Sequence, residues 1–194
     1  VIKQHNIKYH FYADDTQLYL SSGVTNIDDT MNKILACVSS VQEWMICNRL
    51  KMNEDKTEVM IIGQPSKVQH GNLKTISLGE FTFTTTDKAR NFGVIIDCNL
   101  TFEHQISSVC RFAYLEVRRL DAIRNYLSQD VANKLAVSFI LSKLDYCNSL
   151  YGGLQENQLK KLQKVQNCAA RVVMKKQMQE HVPSLLNELH WLPI

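Results

Sequence analysis

The chain has 194 residues, a formal net charge of +3, 45% hydrophobic and 21% charged residues. That balance belongs to a folded domain and excludes a disordered tail, which needs fewer apolar residues and more net charge. No apolar run reaches the roughly 18 to 20 residues that span a bilayer, and 7 Gly and 3 Pro exclude a collagen-like chain.

The placement of charge says more than its total. Residues 1–101 carry 10 Lys+Arg against 11 Asp+Glu, whereas residues 102–194 carry 12 against 8. The second half is the candidate for a polyanionic partner, although a solvated helical surface explains the same charge. The 6 cysteines form no C-x-x-C and no zinc-ligand spacing with histidine. With no secretory signal, they read as small buried hydrophobes in a reducing compartment. The expectation is an intracellular protein, nuclear or cytoplasmic, neither secreted nor membrane-bound. A first residue of Val1 reads as a piece of a longer polypeptide.

Residues 7–22 place two β-prone runs around Asp14-Asp15 and predict a hairpin with the acids at its turn. Residues 26–51 predict a long helix. Ile27, Met31, Ile34, Leu35, Val38, Val41, Met45 and Leu50 form its stripe, with Thr25 or Asn26 as cap. A short buried strand over 57–62 follows, then a polar loop over 64–71. A second hairpin is predicted across Gly79-Glu80, and another strand over 91–97. From residue 102 the texture turns helical. Helices are expected over 102–126, from a Ser128 cap toward Tyr151, over 155–176 and over 184–189. The implied architecture is α+β over residues 1–100, an antiparallel sheet with a packed helix, followed by an all-α bundle over 101–194.

Tyr12-Ala13-Asp14-Asp15 is the sharpest chemical feature. Adjacent carboxylates on a turn suit hard divalent cations, which prefer carboxylate oxygen and share it with substrate phosphates. Two such ions can activate a 3′-hydroxyl and stabilise a leaving pyrophosphate. An acidic pair alone is weak evidence: Asp28-Asp29 reads simply as a helix first turn. Trp44, Tyr146 and Tyr151 read as core, and Trp191 and His190 as closing the bundle.

Several segments together resemble one family. Phe11-Tyr12-Ala13-Asp14-Asp15-Thr16 resembles the palm motif of reverse transcriptases. Trp44-x-x-x-Asn48-x-Leu50-Lys51-Met52-Asn53-x-x-Lys56-Thr57-Glu58 resembles the segment that follows it. Asn91-Phe92-Gly93-Val94-Ile95-Ile96-Asp97 resembles the primer grip. In the tail, Leu144-Asp145-Tyr146-Cys147-Asn148-Ser149-Leu150-Tyr151, Leu162-Gln163-x-Val165-Gln166-Asn167 and Leu189-His190-Trp191-Leu192-Pro193-Ile194 match in the same order. The set resembles the jockey-like group of non-LTR (LINE-type) retrotransposon reverse transcriptases, almost end to end.

The resemblance implies the C-terminal part of a palm (1–100) and a helical thumb (101–194) of an RNA-directed DNA polymerase. Asp14 would bind Mg²⁺ (or Mn²⁺), with Asp15 in support and Tyr12 and Ala13 near the primer terminus and incoming deoxynucleoside triphosphate. Lys56 matches a lysine near the pyrophosphate, and reads nearly as well as a plain loop lysine. Phe92, Gly93 and Val94 would grip the primer, the glycine allowing close backbone approach. Arg111, Arg118, Arg119, Arg124, Lys160, Lys161, Lys164, Arg171, Lys175 and Lys176 are candidate phosphate contacts. Among them Arg118, Lys160, Lys164, Arg171 and Lys175 are singled out, four of these sharing spacings of four and seven. The implied partners are an RNA template, a DNA primer, and the N-terminal palm and fingers of the same polyprotein, which would supply another metal-binding aspartate. The chain alone is therefore expected not to polymerise. The alternative is a non-catalytic nucleic-acid-binding or interaction module derived from such an element.

Overall fold

The computed structural model describes residues 1–63, 75–78, 81–177 and 180–194. It is an α+β protein of two compact units, Val1–Ala89 and Arg90–Ile194.

In the first unit a 3-10 turn, Ile2–His5, leads through Asn6 into β1 (Lys8–Tyr12). β1 pairs antiparallel with β2 (Asp15–Tyr19), from Lys8↔Tyr19 to Tyr12↔Asp15. Then comes α1 (Ile27–Cys47), with Asp28 and Asp29 in its first turn, where the helix dipole favours them. Asn26 holds the cap position without a side-chain cap bond; instead Thr30 Oγ1 donates to its carbonyl at 2.8 Å. A small core of Ile2, Ile7 and Cys37, joined by Tyr9, Leu18, Ile34 and Val41, holds the helix on the hairpin. His5 Nε2 and Ser40 Oγ lie 3.0 Å apart across the same contact.

α1 stops earlier than its pattern predicts. The Asn48 side chain donates to the Trp44 carbonyl at 2.7 Å, and Arg49 turns left-handed at φ 59. Leu50 N then reaches Met45 O at 2.8 Å and Arg49 N reaches Ile46 O at 3.0 Å, a Schellman ending with arginine at the usual glycine position. Two core expectations fail here: Trp44 and Leu50 are about half exposed, because the helix outruns the small core beneath it.

The expected strand over 57–62 reduces to one parallel bridge, Val59↔Thr85, with Thr86 N donating to Val59 O at 2.9 Å. β3 (Thr75–Leu78) pairs antiparallel with β4 (Phe81–Thr84), Leu78 facing Phe81. The second hairpin is thus present, while its Gly79-Glu80 turn and the loop over 64–71 lie outside the described residues. β5 (Lys88–Asn91) and β6 (Val94–Asp97) make a third ribbon. The described strands therefore form three separate two-stranded ribbons rather than one sheet.

The third ribbon corrects the single strand expected over 91–97. Phe92 (φ 46) and Gly93 (φ 82) form a two-residue turn with positive φ at both positions, the geometry of a type I′ hairpin. Glycine is needed here for its backbone angle. A Cβ would meet nothing nearer than Tyr146 Cε1 at 3.8 Å, so close backbone approach is not the reason for it.

The unit division falls within β5, ahead of the boundary expected near Leu100, because residues 94–98 are tied to helices. Val94 lies in the helical core. Asp97, only 6% exposed, accepts from the backbone N–H groups of Asn99 (3.2 Å), Thr101 (3.0 Å) and Phe102 (2.7 Å). Phe102, at φ 54, is the N-cap of α2 (Glu103–Ile123) and supplies no side-chain cap, so Asp97 takes up its orphan N–H together with two N–H groups of the loop ahead of the helix. Burial alone would raise the Asp97 pKa, but the backbone hydrogen bonds outweigh it and hold the carboxyl below its ordinary value.

The second unit continues with α3 (Gln129–Ala136), a π turn (Val137–Leu141) and α4 (Ser142–Asp145). A single helix was expected from Ser128 toward Tyr151. Ser128 Oγ does accept from Val131 N at 3.3 Å, but the π turn and a 3-10 turn at Asn148–Tyr151 interrupt the run. α5 (Glu156–Met174) buries Leu162, Val165, Gln166, Ala169 and Val173 against this core, and α6 (Val182–Glu188) carries Pro183 in its first turn. On α2, Ile106, Ala113, Val117 and Leu120 are buried, whereas Phe112 and Ile123 are exposed.

Candidate catalytic turn and basic surface

The register Tyr12↔Asp15 leaves Ala13 and Asp14 as the two-residue turn of the first hairpin. Ala13 sits at φ 50, a left-handed value that costs an L-residue about 1 kcal/mol where glycine would cost nothing. Strain of this kind concentrates at sites whose geometry serves something besides stability. Asp14 and Asp15 are both exposed, and so is Tyr12, at 64%. Phe11 and Tyr19 also leave about half their surface in solvent. The tip thus presents two exposed carboxylates flanked by partly exposed aromatic side chains.

Two carboxylates fit part of a Mg²⁺ shell. Mg²⁺ commonly takes one or two carboxylates and completes its octahedron with water and substrate phosphate. Among the described residues no group of three His, Cys, Asp or Glu gathers to make a closed site. Lys56 ends a 3-10 turn, Glu54–Lys56, and is exposed; among the described residues it makes no ion pair with Asp14 or Asp15. Asn53 O fixes this turn, accepting from Lys56 N at 3.3 Å and from Thr57 Oγ1 at 2.9 Å.

In the second unit, Phe92 and Gly93 are exposed at the tip of the β5–β6 ribbon, while Val94 is buried. Tyr146, expected in the core, is 48% exposed and donates its hydroxyl to Phe92 O at 2.7 Å. It steadies the outer turn. Its neighbours Leu144 and Tyr151 are buried, and Tyr151 Oη lies 3.5 Å from Gln105 Nε2. Gln105 Oε1 in turn accepts from Ile95 N at 2.9 Å, so residues 144–151 brace the turn and, through Gln105, β6. No spacing rule flagged Gln105.

The other tail motifs also meet. Gln166 Nε2 donates to Leu192 O at 2.8 Å, and Gln163 Oε1 accepts from Ile194 N at 2.8 Å. Trp191 is 6% exposed and its Nε1 donates to Asn133 Oδ1 at 3.0 Å. His190, at φ 56, is the left-handed residue after α6: His190 N reaches Asn187 O and Trp191 N reaches Leu186 O. The expectation that both close the bundle holds for Trp191 alone, because the turn that buries Trp191 leaves His190 exposed.

Of the candidate basic residues, Arg118, Lys160, Lys164 and Lys175 are exposed and Arg171 is half-buried. Lys160 pairs with Glu156 at 2.7 Å and Arg119 with Glu116 at 2.6 Å, exposed pairs of little energetic weight. Arg124 is a correction. It is 6% exposed, and its guanidinium donates to Val172 O (3.1 Å), Val173 O (3.0 and 2.6 Å) and Leu127 O (2.7 Å). It satisfies the last carbonyls of α5 and is not available to a phosphate.

The cysteines are all free; Cys37 and Cys98 are buried as expected, whereas Cys110, Cys147 and Cys168 are partly buried and Cys47 is exposed. Among the described residues no helix is long and apolar enough to cross a membrane. No protein-family model, curated protein or solved structure matches the chain.

Proposed function

We propose that this chain is part of an RNA-directed DNA polymerase of the non-LTR retrotransposon type, the first unit contributing palm elements and the second a thumb. The observation that carries the reading is the strained Ala13-Asp14 turn, which presents two exposed carboxylates inside the Tyr-Ala-Asp-Asp motif. Support also comes from the exposed Phe92-Gly93 turn, and from the tail motifs making hydrogen bonds to one another. In this reading Mg²⁺ bound with help from Asp14 and Asp15 would supply charge stabilisation of nucleotidyl transfer. Tyr12 and Ala13 would border the primer terminus, Phe92 to Val94 would position the primer, and Lys56 would offer a cation to the pyrophosphate. Arg118, Lys160, Lys164 and Lys175 would follow duplex phosphates. The partners are an RNA template, a DNA primer and deoxynucleoside triphosphates.

An RNA–DNA duplex titration across salt concentrations tests this surface. Binding is expected to weaken steeply as salt rises, since each neutralised phosphate contributes roughly 0.7 to 0.9 to the logarithmic slope. Replacing Lys160, Lys164 and Lys175 together with serine should weaken binding and flatten the slope by about two to three. An unchanged slope removes this face from the interface. Binding that persists in a chain with no affinity for divalent metal at the hairpin supports the non-catalytic module instead.

A further inference from the structure

A cavity of about 450 Å³ opens between the C-terminal ends of α2 and α5, lined among others by Asp121, Arg124, Arg171, Lys175 and Lys176. Four cations and one carboxylate line it. Helix C-termini themselves carry negative partial charge, so some positive charge here has a purely structural use. Arg124 already fills that use with its bonds to the Val172, Val173 and Leu127 carbonyls.

The remaining cations are in excess. Arg171 Nε is shielded from solvent and has no hydrogen-bond partner among the described residues. A buried donor without an acceptor costs about 1–3 kcal/mol, a penalty that a native fold seldom keeps without reason. Lys175 occupies the left-handed position after α5 at φ 52, where Lys175 N bonds Val172 O (3.2 Å) and Lys176 N bonds Arg171 O (2.9 Å). Glycine is the usual residue there, and lysine retains strain of about 1 kcal/mol while placing an ammonium on the cavity wall. The Lys176 ammonium makes an exposed pair with Glu180 at 3.6 Å.

We propose that this cavity binds a phosphate-class oxyanion. A tetrahedral anion in the cavity would be met by the Arg171 guanidinium, and a turn of that side chain that brings the shielded Nε to the cavity would give it its missing acceptor together with one Nη, the bidentate geometry that arginine offers phosphate. Lys175 and Lys176 would add point charge. The volume lies within the range of small-molecule sites and accommodates a pyrophosphate or a nucleotide-sized ester as well as free phosphate. The site shares Arg171 and Lys175 with the candidate basic surface but does not rest on the polymerase reading.

Calorimetric titration of the whole chain with inorganic phosphate and with pyrophosphate, against chloride at matched ionic strength, tests this. Saturable one-to-one binding is expected. Arg171→Gln should weaken it about tenfold, as should the surface change Lys175→Ser, which keeps the result readable if the arginine variant folds poorly. Lys160→Ser with Lys164→Ser should leave it unchanged. A 5′-phosphorylated dinucleotide and its unphosphorylated form separate the sources. Equal binding of free phosphate and phosphorylated dinucleotide assigns a free anion; preference for the phosphorylated dinucleotide assigns a phosphate ester. No saturation above the chloride control overturns the proposal, as does full affinity in both Arg171→Gln and Lys175→Ser. Duplex binding that survives loss of this small-anion site separates its failure from that of the polymerase reading.

Discussion

Asp97→Asn should destabilise the second unit by about 2–3 kcal/mol at neutral pH, and the loss should shrink in acid. The carboxylate is buried and accepts three backbone N–H bonds from the loop that leads into α2 and from its N-cap residue. Bonds to a charged acceptor are each stronger than neutral ones, though they do not add fully. Asparagine keeps one acceptor oxygen, loses the charge and adds an amide that finds only other donors. The sign of the pH effect follows from the lowered pKa. A group whose folded pKa lies below its unfolded value, about 3.9 for aspartate, contributes fully above that value. The contribution then fades as pH falls through the folded pKa. Denaturant melts of both proteins at pH 7 and at progressively lower pH check it. A gap that narrows only in acid is expected; a gap independent of pH would show that the charge does not matter.

Arg124→Leu should cost about 3 kcal/mol or more, and Arg124→Lys most of that. The side chain holds carbonyls of Leu127, Val172 and Val173, so its removal leaves the end of α5 unpaired in a buried place. Lysine supplies charge without the planar fork and cannot reach the same set of oxygens. Against a total stability of roughly 5–15 kcal/mol, either change should lower the melting temperature visibly. Wild-type stability in Arg124→Lys, joined to a loss of nucleic-acid affinity, would return this arginine to the list of phosphate contacts.

These two residues show where sequence reading runs out. Asp97 and Arg124 look like surface charges in a linear pattern, because their partners are backbone groups of the turn ahead of α2, of Leu127 and of the end of α5, which only the fold brings within reach. The first hairpin was legible, since two β-prone runs flanked a short polar pair in register. The helix expected over 155–176 was legible, and α5 (Glu156–Met174) fills it but for its ends. The Phe92-Gly93 turn was hidden by a phenylalanine at φ 46, a residue that turn propensity does not suggest. Gly93 in the second turn position was the one signal that could have revealed it. Residues 59–62, an apolar run, suggested a strand, yet pairing depends on a partner strand, and only Val59 finds one. Trp44 and Tyr146 read as core from the sequence. The shortness of the first core and a hydroxyl bond to Phe92 O decided otherwise.

The candidate site was legible as a motif but not as a geometry. The sequence placed Asp14 and Asp15 at a turn, whereas the strain at Ala13 emerges only from the backbone. Lys56 remains a loop lysine with no ion pair to either aspartate among the described residues.

Paramagnetic broadening of backbone amides by Mn²⁺, in the wild type and in Asp14→Asn, tests the central claim most directly. The claim is that the hairpin tip is part of a divalent-metal site. Titration should broaden residues 12–16 first and saturably, and Asp14→Asn should abolish that selectivity while leaving the hairpin amides otherwise unmoved. Broadening spread evenly over the acidic surface, Asp28 and Asp29 included, or tip broadening that survives Asp14→Asn, would contradict it.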